Sequence, residues 1–152
     1  MGQSSVAVIR ISGPNSFNIA KKLTGTKKSR AHHEVALLLI KNKEGADLDR
    51  GLFTFFISPN SYTGEDVVEI SCHGNQLVVG IIISRCIQLG ARIAEPGEYT
   101  KRAFLNNKVS LSQAESVGAL ISSKSEEAIR QNLKNIEGGS SKTVVSIKNS
   151  LV

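Results

Sequence analysis

Cysteine is scarce in this 152-residue chain, which carries only Cys72 and Cys86. Two cysteines make no disulfide framework, and their spacing fits no zinc or redox motif. Thiols of this kind are ordinarily small buried hydrophobes in a reducing compartment. Tryptophan is absent and aromatic residues amount to 5%, so no aromatic platform interleaves the lysines as single-strand binders require. Long apolar runs are missing too. The longest, Leu77 to Ile83, falls far short of the roughly 20 residues that span a bilayer. The start Met1-Gly2-Gln3-Ser4-Ser5 lacks the basic and apolar regions of a signal peptide, and Val6 stands where a myristoylation pattern needs Ser or Thr. Internal repeats and low-complexity tracts do not occur. The reading is a soluble intracellular protein, one domain or one domain plus part of another, without a membrane role.

What is present is ordinary in amount and uneven in placement. Apolar residues make up 40% and charged residues 21%, which excludes wholesale disorder. A chain of this length buries roughly 68–70% of its unfolded surface and needs no metal to fold. Nineteen Lys+Arg against 13 Asp+Glu give a net charge of +6. Lys21, Lys22, Lys27, Lys28 and Arg30 cluster with no acid among them, and His32 and His33 follow directly. Such a cluster can meet phosphates. It can equally be a solvated helix end, where cations complement the C-terminal dipole.

Along the chain, Val6 to Ile11 reads as a strand, and a helix follows from Pro14, with Phe17, Ile19, Ala20 and Leu23 as its apolar stripe and Gly25 as its stop. Glu34 to Ile40 and Leu48 to Ile57 read as a hairpin, and Asp66 to Cys72 as a further strand. Gln76 to Leu89 reads as a buried helix, Arg92 to Ala94 as a short strand, and Pro96-Gly97 as the opening of a dense loop. After Ser110 the texture becomes helical. Ser112…Glu115 and Ser123…Glu126 have capping-box spacing. Leu111, Ala114, Val117 and Leu120 form one helical seam, Ile129, Leu133 and Ile136 a second, and Val144, Ile147 and Leu151 a third with nothing after it to cover it.

Catalytic templates fail. Gly138-Gly139-Ser140-Ser141-Lys142-Thr143 lacks the Gly immediately before Lys that a phosphate loop needs. His32 and His33, placed on a strand edge, would point to opposite faces and could not share a metal; Cys72 and His73 fail likewise. No catalytic residue and no metal ligand is assigned. Three segments remain informative. They are Val8-Ile9-Arg10-Ile11-Ser12-Gly13-Pro14, the string from Pro59 to Gly74 with Glu69 in mid-strand, and the string from Gly90 to Lys108. A carboxylate among apolar strand neighbours needs a donor or a cation. Arg10 could be that cation in a structural ion pair. Alternatively, Glu69 could receive a ligand presenting two parallel N–H donors, with Arg10 and Lys108 meeting anionic parts of the same ligand.

At these segments the sequence resembles the N-terminal domain of the MnmE (TrmE) family of tRNA modification GTPases. Asn60-Ser61-Tyr62-Thr63-Gly64-Glu65-Asp66-Val67-Val68-Glu69…His73-Gly74 and Pro96-Gly97-Glu98-Tyr99-Thr100-Lys101-Arg102-Ala103-Phe104-Leu105-Asn106…Lys108 carry the resemblance, in family order. It implies an α+β folate-binding domain over residues 1–109, similar to that of aminomethyltransferases, followed over 110–152 by the incomplete beginning of a central helical domain. It implies binding of a tetrahydrofolate one-carbon donor, 5-formyltetrahydrofolate in known members, at Arg10, Glu69 and Lys108. It also implies a homodimer, a flavoprotein partner, tRNA as the substrate modified at carbon 5 of the wobble uridine, and a cytoplasmic location (the mitochondrial matrix in a eukaryote). GTP, Mg and K serve the parent family's GTPase domain, which this chain lacks, as it lacks the family's Cys-x-Gly-Lys motif. Three departures stand out. The family's strand before the first Gly-rich turn is missing, which would leave a raw sheet edge. That turn reads Gly2-Gln3-Ser4-Ser5, and Asn75 replaces a frequent second Gly after His73-Gly74. Two rival readings differ in class: a basic dimeric RNA-interaction module without a small ligand, and a stand-alone folate-dependent aminomethyltransferase, for which the length leaves little room.

Overall fold

The computed structural model describes residues 4–29 and 31–138. The expectations for Arg30, for the glycine-serine string beyond Gly138, and for the seam of Val144, Ile147 and Leu151 lie outside the described residues. The chain divides into two compact units, Met1–Glu95 and Pro96–Val152. Its architecture is α+β.

The first unit is built on four antiparallel strands, β1 (Val6–Ser12), β2 (Val35–Lys41), β3 (Asp47–Phe56) and β4 (Val67–His73), in the order β1-β4-β3-β2. Period-two alternation sends Ile9 and Ile11 of β1, Ile40 of β2, Phe53 and Phe55 of β3, and Val68, Ile70 and Cys72 of β4 to one face. Two helices cover that face, α1 (Ser16–Thr24) and α2 (Gln76–Gln88). From α1 come the buried Ile19, Ala20 and Leu23, with Phe17 edge-on to Phe55 at 5.5 Å. Gly25 ends α1 in the left-handed conformation (φ 71°), which glycine adopts without a Cβ penalty. The hairpin between β2 and β3 closes where Asn42 Oδ1 accepts the N–H groups of Glu44 and Ala46.

Strand β1 is an edge strand, and no described strand pairs with its outer side. On the opposite face Val67 is buried near the Ser58–Asp66 loop, but several apolar side chains stay exposed. Val6 and Val8 of β1, Val35, Leu37 and Leu39 of β2, and Leu52 of β3 are all exposed there, Leu37 and Val35 by 58% each.

Helix α2 departs from the buried helix expected of so apolar a sequence. It buries Ile82 and Cys86, while Leu77 is 72% exposed. One side of a helix can pack on a sheet, and apolar residues around the rest of its circumference stay outside that contact. Asn75 caps it, its Oδ1 accepting from Leu77 N at 2.9 Å and Val78 N at 3.3 Å. This gives the departure at position 75 a local purpose, satisfying orphan donors that glycine leaves open.

The second unit holds α3 (Glu98–Leu105), α4 (Leu111–Ser122) and α5 (Glu126–Ile136). Three expectations are corrected here and just before it. Arg92 to Ala94 takes no regular secondary structure, because so short a run offers few ladder bonds. The dense loop expected after Pro96-Gly97 is instead α3, which starts on the left-handed Gly97 (φ 75°) and is tied by Arg102 Nε and Nη2 donating to the buried Glu98 carboxylate at 3.0 and 2.7 Å. Both expected caps shift by two residues. Ser110 Oγ accepts from Gln113 N while Gln113 Oε1 accepts from Ser110 N, since glutamine closes a capping box as glutamate does. Ser125, rather than Ser123, caps α5. Helices α4 and α5 pack together, with Gln113 Nε2 donating to Ile136 O at 2.6 Å across the pair, but Leu111 of the first expected seam and Ile129 and Leu133 of the second stay exposed.

Candidate functional site

Arg10 and Glu69 are direct cross-strand partners in the β1–β4 ladder. Strand alternation puts both on the face opposite the helices, and Arg10 Nε donates to Glu69 Oε1 at 2.5 Å. The Arg10 side chain is 58% exposed and that of Glu69 30%. A pair this exposed contributes at most about 1 kcal/mol to stability. Thr54 of β3 lies opposite Glu69, and Val35 of β2 opposite Thr54. Arg10, Glu69, Thr54 and Val35 therefore form one row across the sheet. The neighbouring row is Val8, Ser71, Leu52 and Leu37.

The loop from Ser58 to Asp66 is fastened beside this row. Ser12, two residues beyond Arg10 on the same face of β1, donates its hydroxyl to Glu65 Oε2 at 2.7 Å and lies 2.7 Å from the fully buried Thr63 hydroxyl. Ser58 N donates to Asp66 Oδ1 and Ser61 Oγ to Glu65 O. The hydroxyls and carboxylates of the Asn60–Asp66 string thus hold the loop to the end of β1.

A family model described as "GTP-binding protein TrmE N-terminus" matches residues 1–108, the stretch that carries both this row and its loop. The chain belongs to this family. Its relatives include the tRNA modification GTPases MnmE of Chromobacterium violaceum (44% identical), Akkermansia muciniphila (45%) and Thermotoga maritima (42%). Each alignment covers 99% of this chain and 33–34% of the relative. The chain therefore spans about a third of the length of the curated relatives it matches.

Of the three TrmE-type site residues expected from the sequence, the structure brings Arg10 and Glu69 together. Lys108 belongs to the other compact unit, where it is exposed after α3 and its N–H closes on Ala103 O at 2.8 Å. Of the two roles posed for Glu69, the structure contains the ion pair with Arg10.

Two features escape a reading of the sequence. Asp49, its side chain 8% exposed, accepts from His73 Nδ1 at 2.6 Å and from His73 N at 3.0 Å. Burial raises the Asp49 carboxyl, but the hydrogen bonds from His73 and from the Arg50 N–H outweigh it and hold it below its ordinary value. No spacing rule links residues this far apart. The second feature corrects an expectation. His32 and His33 lie in a turn, not on a strand, and their rings stack at 3.8 Å and 29° instead of pointing apart. His33 takes the left-handed conformation (φ 57°), which breaks the alternation of an extended chain. Among the described residues, no group of three or more His, Cys, Asp or Glu side chains could hold a metal ion. Cys72 and Cys86 are buried, and burial pushes both thiols up, Cys86 to about 11.

Proposed function

We propose that this chain is the tetrahydrofolate-binding, dimer-forming part of a tRNA wobble-uridine modification GTPase. The observation that carries the reading is the Arg10–Glu69 pair, set across two strands on the sheet face opposite the helices. A pterin edge presents two parallel N–H donors, which suit a carboxylate held in fixed orientation by a neighbouring guanidinium. Arg10 supplies positive charge for an anionic part of the same ligand; Lys108 is carried over from the family resemblance as a further folate residue. The residues present therefore fit a folate. When bound, it supplies the one-carbon unit; Glu69 and Arg10 bind and orient it.

The proposal keeps residues 1–109 as the folate and dimerisation domain and assigns 110 onward to the start of the helical domain. GTP with Mg and K, the flavoprotein partner and the tRNA belong to the activity of the whole family protein, in the cytoplasm or the mitochondrial matrix. The exposed aliphatic row of Val8, Leu52 and Leu37, beside the Arg10–Glu69 row, supports the homodimer. Apolar area of this kind is rarely left uncovered on a monomer. No described helix is long and apolar enough to cross a membrane. Titration calorimetry of the chain with 5-formyltetrahydrofolate tests the reading.

A further inference from the structure

We propose that the stacked His32–His33 pair is a platform on which an unpaired RNA base stacks, with Lys27 and Lys28 meeting the adjoining phosphates. The proposal rests on the tRNA part of the reading above and names where this chain would touch the RNA.

The rings form a built feature. Ile57 N donates to His32 Nδ1 at 3.0 Å, which fixes the orientation of that imidazole and leaves its proton on Nε2. His33 N donates to Phe55 O at 2.7 Å. Phe56 stands edge-on to both rings, 5.4 Å from His33 and 6.5 Å from His32. Thus His32 is half-buried and positioned, while His33 is the exposed member of the stack. Exposed aromatic faces are what unstacked RNA bases use, and imidazole serves as well as other rings. Cations adjoin it: Lys27 and Lys28 are exposed, and Lys28 Nζ is 3.6 Å from Glu34 Oε1. Glu34 also accepts from Ala31 N at 2.8 Å, bending the chain that carries the rings. A lysine cluster without stacking rings makes a weak single-strand site, and the turn supplies the rings.

Position adds to the argument. Phe56, which backs the stack, lies two residues beyond Thr54 on the same face of β3, and Thr54 is in the Arg10–Glu69 row. Two residues along a strand amount to about 7 Å. Phe56 thus sets the stack against the next row along β3, with Glu69 on β4 and Arg10 on β1 one and two strands further across the sheet.

The test uses the 152-residue chain and a fluorescein-labelled tRNA anticodon stem–loop, with a blunt duplex of the same stem as the second probe, followed by anisotropy across a salt series. The stem–loop is expected to bind more tightly than the duplex. His33→Asn, which tolerates a left-handed backbone, should lower stem–loop affinity on the order of tenfold and leave the slope of log affinity against log salt unchanged. Lys27→Ala with Lys28→Ala should instead flatten that slope, by about 0.7 for each phosphate no longer neutralised. In the unsubstituted chain, the His33 ring protons should move upfield on adding stem–loop, a readout independent of any variant's folding. Unchanged affinity in His33→Asn, equal binding of duplex and stem–loop, or unmoved ring protons would overturn the platform. Loss of folate heat in calorimetry would instead overturn the folate reading and leave the platform standing.

Discussion

Arg10 and Glu69 face each other across the β1–β4 ladder, guanidinium Nε to carboxylate Oε1 at 2.5 Å, on the sheet face that also carries the exposed Val8, Leu37 and Leu52. An exposed pair of this kind stabilises by about 0–1 kcal/mol. Arg10→Ala should therefore leave the thermal midpoint within a few degrees of the parent while removing most of the heat of folate binding. A large drop in the midpoint would make the pair structural.

That face bears on association. Leu37 and Leu52 are neighbours across β2 and β3, 58% and 47% exposed. A dimer formed through this face would desolvate them, so Leu37→Asp combined with Leu52→Asp should halve the mass measured by light scattering. Since both sit on the solvent side, circular dichroism should remain that of the folded chain.

Gly74 separates β4 from α2 and donates its N–H to Ser5 O at 3.1 Å. A Cβ built there would overlap the Ser4 carbonyl oxygen and press on Val6 N. Backbone cannot swing aside as a side chain can, so Gly74→Ala should push the start of β1 away from β4 and cost on the order of 1–3 kcal/mol. Urea unfolding measures it. Glycine at 80, where a Cβ meets nothing within 4 Å, is the control: Gly80→Ala should be neutral or stabilising by up to about 1 kcal/mol.

The Asp49–His73 contact gives stability a pH dependence of known sign. The folded Asp49 carboxyl lies below its ordinary value of 3.8, so the unfolded chain takes up the proton first. The stabilisation is complete above that value and is lost as pH falls through the lower folded value. Asp49→Asn should thus be less stable than the parent at neutral pH, and the gap in urea midpoint should close as pH falls below about 3.8. A gap that stays constant down to the acid limit would show that the carboxylate charge contributes nothing.

Much of this was legible because local rules dominate it. The strands β1, β3 and β4, the Gly25 stop, and the hairpin of β2 and β3 follow from residue types a few positions apart. The cross-strand meeting of Arg10 and Glu69 was legible as a possibility, because a carboxylate among apolar neighbours needs a partner. Other features depend on what the chain meets in space. Helix α2 reads as buried from its composition, yet its exposed side is decided by which face reaches the sheet. His32 and His33 read as strand residues until a left-handed backbone at His33 turns one ring onto the other. The Asp49–His73 bond joins strands whose register no short-range pattern encodes.

The central claim is that Glu69 recognises a folate. Isothermal titration of the folded chain with 5-formyltetrahydrofolate should give a saturable heat, lost or much weakened by Glu69→Ala and little changed by Lys101→Ala, an exposed cation on α3. Absence of heat at high micromolar ligand, or equal losses in the two variants, would contradict it.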